Sequence, residues 1–190
     1  MNLKSFFDAV SPISDTTWEE IEPLFRKEHL AQHDHFTKTN ETATRIAFLE
    51  SGIVRAYFTN REGKEYNKQF FVAPTVIGAY TSLLKGSPNL IAQQAMTDCI
   101  IWTINYNEIT NRYNAFPDLE RLSRKMAEYY FLEKEKKELD IVLLNAAERY
   151  QIFQKEFPGI EQHITQYHVA SYLGISPIQL SRIRHPKEEK

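Results

Sequence analysis

One cysteine, Cys99, stands in 190 residues. A single thiol excludes a disulfide framework, a zinc knuckle and an iron–sulfur cluster built within the chain. Six glycines and eight prolines are too few for a collagen-like or low-complexity protein. Charge of one sign is not in excess either: 23 Lys and Arg face 25 Asp and Glu, a formal net charge of −2. That balance excludes a surface that is basic throughout and argues against wholesale disorder. No apolar run approaches the ~20 residues a membrane helix needs. Asp8 interrupts the start, Met1 to Phe7, before a signal-peptide core can form. The expectation is a cytoplasmic protein with no membrane partner, no metal and no cofactor. What is present is 42% hydrophobic residues, enough to bury a core of one or two domains.

The chain shows three textures. Ser14 to Phe25 is helical, with Trp18, Ile21, Leu24 and Phe25 on one face. Thr16 with Glu19 and Thr17 with Glu20 both fit a capping box, so two starts are open. From about Glu28 to Tyr106, short strand-like runs alternate with turn residues. Ile46–Leu49 precedes Ser51-Gly52, Ile53–Phe58 precedes Asn60 to Gly63, Tyr66–Val72 precedes Ala73-Pro74, and Cys99–Ile104 closes the region. Such spacing predicts an antiparallel sandwich or barrel, with a hairpin turn at Asn60 to Gly63. Cys99, beside an apolar run, reads as a small buried hydrophobe. From Asn107 onward the pattern is helical. Leu119, Leu122, Met126 and Tyr129 step by three, four and three residues, a seam suited to a second copy of the helix. Glu133 to Glu138 interrupts it with mixed charges, where a Glu133–Lys137 pair is expected, and Leu139, Val142 and Leu143 resume it. The division expected is 1–106 for the first helix and barrel, 107–145 for the long helix, and 146–190 for a C-terminal unit, within which Pro158-Gly159 breaks the chain after the helix Ala146 to Phe157.

The C-terminal unit carries the chemistry. Thr165 can cap a first helix whose buried face is Val169, Ala170 and Leu173. Gly174 fits a tight turn, Ser176 caps a second helix, Pro177 takes its first position, and Gln179 completes a capping box. Leu180 and Ile183 face inward. This is the plan of a helix–turn–helix, in which the second helix enters the major groove. No carboxylate occurs between Gln162 and Lys187. Arg182 and Arg184 can pair with guanine and Gln179 with adenine, Ser176 and Ser181 suit phosphate, and Thr165 and Gln166 complete the candidate DNA-binding set. From Ala146 onward the chain has one net positive charge, so one protomer is expected to bind DNA modestly and a dimer to span two half-sites.

The order of barrel, long helix and Leu173-Gly174-Ile175-Ser176-Pro177-Ile178-Gln179-Leu180-Ser181-Arg182-Ile183-Arg184 resembles the Crp/Fnr superfamily of bacterial transcription regulators. Phe48-Leu49-Glu50-Ser51-Gly52-Ile53-Val54-Arg55 is similar to that family's strand–Gly–strand signature, and Gly63 and Gly78 match its turn glycines. The resemblance implies an α+β chain: a double-stranded β-helix (jelly-roll) barrel like the cyclic-nucleotide-binding domain, a long dimerisation helix and a C-terminal helix–turn–helix. It implies duplex DNA with a palindromic operator, a homodimer, a small-molecule effector, and RNA polymerase as a candidate partner. The effector pocket falls at Gly78, Ala79, Tyr80, Asn89, Leu90 and Tyr130.

The departures from the family bear on what it senses. Cyclic-nucleotide binders follow a glycine with Glu, and Gly78 is followed by Ala79. Their later Arg-Ser pair falls at Asn89-Leu90 here, and Lys85 is the sole basic residue between Gly78 and Asp98. A buried phosphate without a cation is costly, so cyclic AMP is not expected to bind tightly. His29, His33 and His35, candidates for a haem ligand, read as turn decoration. The family's β-hairpin wing is not expected, since Pro186 stops the second helix and few residues follow. No serine-hydrolase elbow, zinc-protease motif or phosphate loop is present, and an enzyme is not expected. The competing expectation is a ligand- or protein-binding module with a vestigial helix–turn–helix.

Overall fold

The computed structural model describes residues 1–185. Helices α1 (Leu3–Val10) and α2 (Asp15–Ile21) open the chain, followed by a single 3-10 turn, Glu22–Leu24. Strands β1 (Arg26–Leu30), β2 (His35–Thr37), β3 (Arg45–Ser51), β4 (Ile53–Thr59), β5 (Glu65–Val72) and β6 (Thr75–Ile77) come next. Helix α3 (Tyr80–Lys85) separates them from β7 (Ala92–Ala95) and β8 (Cys99–Asn105). The remaining helices are α4 (Tyr106–Thr110), α5 (Pro117–Leu143), α6 (Ala146–Glu156), α7 (Gln166–Leu173) and α8 (Pro177–Arg184).

The strands form two four-stranded sheets, ordered β1-β8-β3-β6 and β2-β7-β4-β5, with every pairing antiparallel. This is the jelly-roll barrel expected. Alternation puts Ala47, Leu49, Val54, Ala95 and Ile101 between the sheets. Cys99 joins them, and burial pushes its thiol pKa up, as suits a packing residue. The hairpin from β3 to β4 turns on Gly52, at φ +100°. A Cβ there would lie 2.5 Å from Cys99 Sγ and 2.7 Å from the Asp98 carbonyl oxygen. The hairpin from β4 to β5 turns where expected. Gly63 has φ +79°, and Asn60 Oδ1 accepts from the Glu62 and Lys64 N–H groups at 3.0 and 2.9 Å.

Neither capping box expected in α2 forms. Ser14 is the cap, its Oγ accepting from Thr17 N at 3.1 Å. Thr17 is buried, and its hydroxyl donates to Asp118 Oδ1 at 2.7 Å. Asp118 lies in the first turn of α5, so the N-terminal helices are tied to the long helix. The expected seam is corrected by that tie. Leu119 and Leu122 are 1% and 2% exposed and pack among Leu3, Phe7 and Phe48 of this same chain. They are spent on the chain's own core and offer a second copy nothing. Met126 lies at the edge of that core, and Tyr129 is exposed. The solvent-facing stripe is instead Tyr129, Leu132, Leu139 and Leu143, all exposed and at coiled-coil spacing. The Glu133–Lys137 pair is absent as well. Lys137 turns inward, bonds the Lys68 carbonyl oxygen and sits 3.4 Å from the Tyr172 ring centroid. Burial pulls its pKa down to about 7. The pairs on this face of α5 are Arg124–Glu128 at 2.5 Å and Lys134–Glu138 at 3.4 Å.

The third core crosses from barrel to C-terminal unit. Ile53, Phe70 and Met96, on the outer face of the second sheet, pack with Phe153, Val169, Leu173 and Leu180. Phe70 meets the rings of Phe153, Phe157 and Tyr172 at centroid distances of 6.2, 5.9 and 5.3 Å. The unit itself starts with a full capping box, Asn145 with Glu148, and turns at Gly159.

Candidate functional site

The two helices of the candidate nucleic-acid interface form as their residues dictate. Gly174, at φ +70°, ends α7 in the left-handed conformation. Ser176 and Gln179 make both bonds of a capping box on α8, with Pro177 in the first turn. Val169, Ala170, Leu173 and Leu180 are buried. Outside, Pro177, Ile178, Gln179, Ser181 and Arg182 are exposed on α8, and Gln166 on α7. Two of the anticipated contacts carry other duties. Gln179 Oε1 is held by the Ser176 N–H at 3.1 Å. Arg184 is half-buried, with Nη1 3.9 Å from Glu161 Oε1. Thr165 sits at the cap of α7 but its hydroxyl makes no capping bond. Pro186, the expected helix stop, and any wing lie outside the described residues.

Behind α7 is a polar cluster that sequence reasoning missed. Arg55, at the centre of β4, is 5% exposed and points to the outer face. Its Nε and Nη2 donate to Gln94 Oε1 at 3.0 and 2.6 Å, and Nη1 donates to Glu65 Oε2 at 2.6 Å. The guanidinium also stacks on Tyr57, 3.9 Å from its ring centroid. Two residues of α7 close the cluster. His168 Nδ1 lies 3.3 Å from Arg55 Nη1 and 3.2 Å from Asn67 Nδ2. Ser171 Oγ accepts from Asn67 N and donates to the Glu65 carbonyl oxygen, both at 3.0 Å. Two donors converge on His168 Nδ1, so that nitrogen is an acceptor and the ring is neutral. Burial, then the Arg55 charge, holds its pKa below the usual value. The signal was present in Ile53-Val54-Arg55-Ala56-Tyr57: an arginine amid apolar residues on both faces of a strand needs a buried partner.

The inner side of the same sheet opens on a cleft of about 1800 Å³ that runs past α3 and along α5 to α6 and α7. Gly78, Ala79, Tyr80, Asn89, Leu90 and Tyr130 all line it. Several are already committed. Tyr130 Oη meets Thr75 Oγ1 at 2.8 Å and accepts from Val76 N at 3.2 Å, pinning α5 to β6. Burial raises its pKa. Asn89 is buried, with Oδ1 accepting from Ile91 N at 3.2 Å and Nδ2 donating to the Ile91 carbonyl. Leu90 is exposed, and so is Lys85. Tyr80 stands edge-on to Tyr106 at 6.1 Å, and burial followed by the Tyr80 bond drives the Tyr106 pKa upward.

Among the described residues, no group of three or more His, Cys, Asp or Glu side chains is placed to hold a metal ion. His35 Nε2 meets Tyr57 Oη at 2.9 Å, extending the outer cluster. No described helix is long and apolar enough to cross a membrane.

Comparison with known proteins agrees with this architecture. Residues 27–115 match the cyclic nucleotide-binding domain family. The c-di-GMP responsive global regulator CLP of Xanthomonas campestris superimposes with a TM-score of 0.71 at 13% identity, over 90% of this chain and 89% of that one. FixK2 of Bradyrhizobium japonicum gives 0.73 at 16%, over 84% and 82%. A transcriptional regulator assigned to the Crp/Fnr family in Eubacterium rectale gives 0.71 at 16%, over 90% and 82%. At these identities the likeness is one of fold. No curated protein matches the sequence. Residues 27–115 are thus similar to the cyclic nucleotide-binding domain, and the chain shares the fold of these regulators.

Proposed function

We propose that this is a dimeric DNA-binding transcription regulator whose barrel senses a small molecule other than a cyclic nucleotide. The observation that carries the reading is α8. Its inner side is anchored by fully buried Leu180, and its outer side presents Ile178, Gln179, Ser181 and Arg182 to solvent without an acidic neighbour in the helix. Arg182 is the base-reading residue, and the α8 cap and Thr165 meet phosphate. The exposed stripe of Tyr129, Leu132, Leu139 and Leu143 pairs α5 with a second copy and sets the half-site spacing. In functional terms the chain divides into a sensing part to residue 106, a dimerising helix to 145 and a DNA-binding unit beyond. RNA polymerase is a candidate partner, and the chain performs no catalysis of its own. Loss of the cyclic-nucleotide cassette is supported by Ala79 and by Asn89, whose amide is spent on its own loop.

Selection from a randomised duplex library at about 50 and 200 mM salt tests this. The expected result is an enriched palindrome whose binding weakens with salt and whose specificity is lost in Arg182→Ala. A library with no enriched site overturns the reading. Arg184 leans toward Glu161, and the C-terminal unit has a small net charge. These favour the second reading, a ligand- or protein-binding module. Salt-insensitive behaviour with no duplex binding is its expected outcome.

A further inference from the structure

The inner wall of the second sheet holds an unused acceptor. Gln93 is 3% exposed on β7 and lines the cleft. Its Nε2 donates to the Gly78 carbonyl oxygen at 3.1 Å, which fixes which way the amide faces. Oε1 therefore turns the other way, and it has no partner. Buried polar atoms in proteins are nearly always paired, so an orphan in a cavity wall marks a place where something else bonds. Its neighbours across the strand and at the turn are small. The residue opposite Gln93 on β4 is Ala56, and the turn that Gln93 holds is Gly78-Ala79. Ile46, Ile77 and Tyr80 are in the lining with it, while Lys137 and Arg149 of the same cleft stand against Tyr172 and Leu173 of α7. From Gly78 to Gln93 the only charged side chain is Lys85, exposed at the end of α3.

We propose that this end of the barrel binds an uncharged, flat, largely apolar molecule through one N–H or O–H group that donates to Gln93 Oε1. The inference rests on the reading that the barrel is the sensing part, and it names the class of ligand sensed. An anion is disfavoured because Lys137 and Arg149, the half-buried cations of the cleft, bond carbonyl oxygens of Lys68, Leu144 and Leu173, and Asn89 is occupied. A hydrocarbon without a donor leaves the acceptor unpaired, and sites built around a hydrogen bond reject such analogues strongly.

Calorimetric titration of the full chain with indole, benzofuran and cyclic AMP separates these cases. Indole and benzofuran share size and shape, and only indole has a donor. Indole is expected to bind at least about ten-fold tighter than benzofuran. Gln93→Leu is expected to bring the two within about three-fold of each other. Ala56→Leu adds bulk opposite Gln93 and leaves the amide in place, so it is expected to abolish both; it serves as well if Gln93→Leu does not fold. Equal affinity of the native chain for indole and benzofuran overturns the proposal. So does the absence of indole binding at about 1 mM. Cyclic AMP binding tighter than indole overturns both the proposal and the loss of the cassette. Operator selection is a separate readout: a palindrome recovered alongside a failed titration leaves the regulator standing and removes only the ligand class.

Discussion

Two neighbouring cross-strand pairs of the same sheet meet opposite fates. Arg55 faces Gln94 and Ala56 faces Gln93, one step apart along β4 and β7. The first pair points outward into α7, where every guanidinium nitrogen has a partner. The second points inward, where one amide oxygen has none. Alternation along a strand puts a structural joint and a candidate ligand contact back to back. Burial alone does not tell them apart, since Arg55 and Gln93 are both almost fully buried. Satisfaction does: a polar group with all its bonds made holds the protein together, and one with a bond to spare is available to something else.

The contrast is testable, and the largest effect is expected on the outer side. Arg55→Ala strands Glu65 and Gln94 and removes one of the two donors to His168 Nδ1. It is expected to cost about 3–5 kcal/mol in urea unfolding and to raise hydrogen exchange in α7. Gly52→Ala, at the hairpin feeding β4, forces an L-residue to φ +100° against Cys99 and Asp98. Its expected cost is about 2–3 kcal/mol, read as a lowered urea midpoint. Gln94→Leu against Gln93→Leu sharpens the comparison directly. The first leaves a buried guanidinium without its acceptor and is expected to cost about 1–3 kcal/mol. The second loses one bond and removes one orphan oxygen, so its expected change is within about 1 kcal/mol of zero. Equal costs for the two would erase the distinction.

A pH effect is expected on the outer face alone. His168 is neutral in the folded chain, with a pKa lowered by burial and then by Arg55; Glu65 opposes and His33 adds to the lowering. The unfolded chain therefore binds the proton more readily. This contribution is complete above the unfolded histidine value and is lost as pH falls through the lower folded one. His35 is lowered in the same direction, by burial and then by Lys38 and Arg55, and Lys137, pulled down to about 7, falls in the same window, so the slope of the native chain mixes several groups. Thermal melts from pH 8 to about 5 are expected to fall less steeply in His168→Asn than in the native chain. Identical slopes would remove His168 from the account.

Much of this architecture is legible in the residues. The apolar runs of β3, β4, β5 and β8 and their turn glycines announce an antiparallel barrel, and Ser176-Pro177 with Gly174 announces α7 and α8. What stays hidden has physical reasons. Strand β1, Arg-Lys-Glu-His-Leu, is an edge strand whose side chains pair across the sheet surface, as Glu28 does with Arg45 and Thr103. Strand β7 reads as polar because Gln93 and Gln94 serve two different faces. The apolar spacing of α5 is real, but periodicity reports a buried side without saying what buries it. Leu119 and Leu122 are covered by α1, a helix not anticipated from Met1 to Asp8. The six pocket positions taken from family resemblance do line one cleft. The residue with the free acceptor, Gln93, was not among them, because an unpaired atom is a property of three dimensions.

The core that joins Phe70 and Ile53 to Phe153 and Val169 bears on how such a chain can be re-engineered or recombined. A cut at residue 145 runs between helices in the sequence and yet leaves half of an aromatic cluster on each fragment. A barrel freed in this way would carry a sticky apolar face with Arg55 unshielded at its side. A C-terminal unit freed with it would lose the sheet that Phe153 and Tyr172 pack against. Grafting a different C-terminal unit onto this barrel therefore requires a matched replacement of the outward side chains of β4 and β5, as one would swap a plug together with its socket.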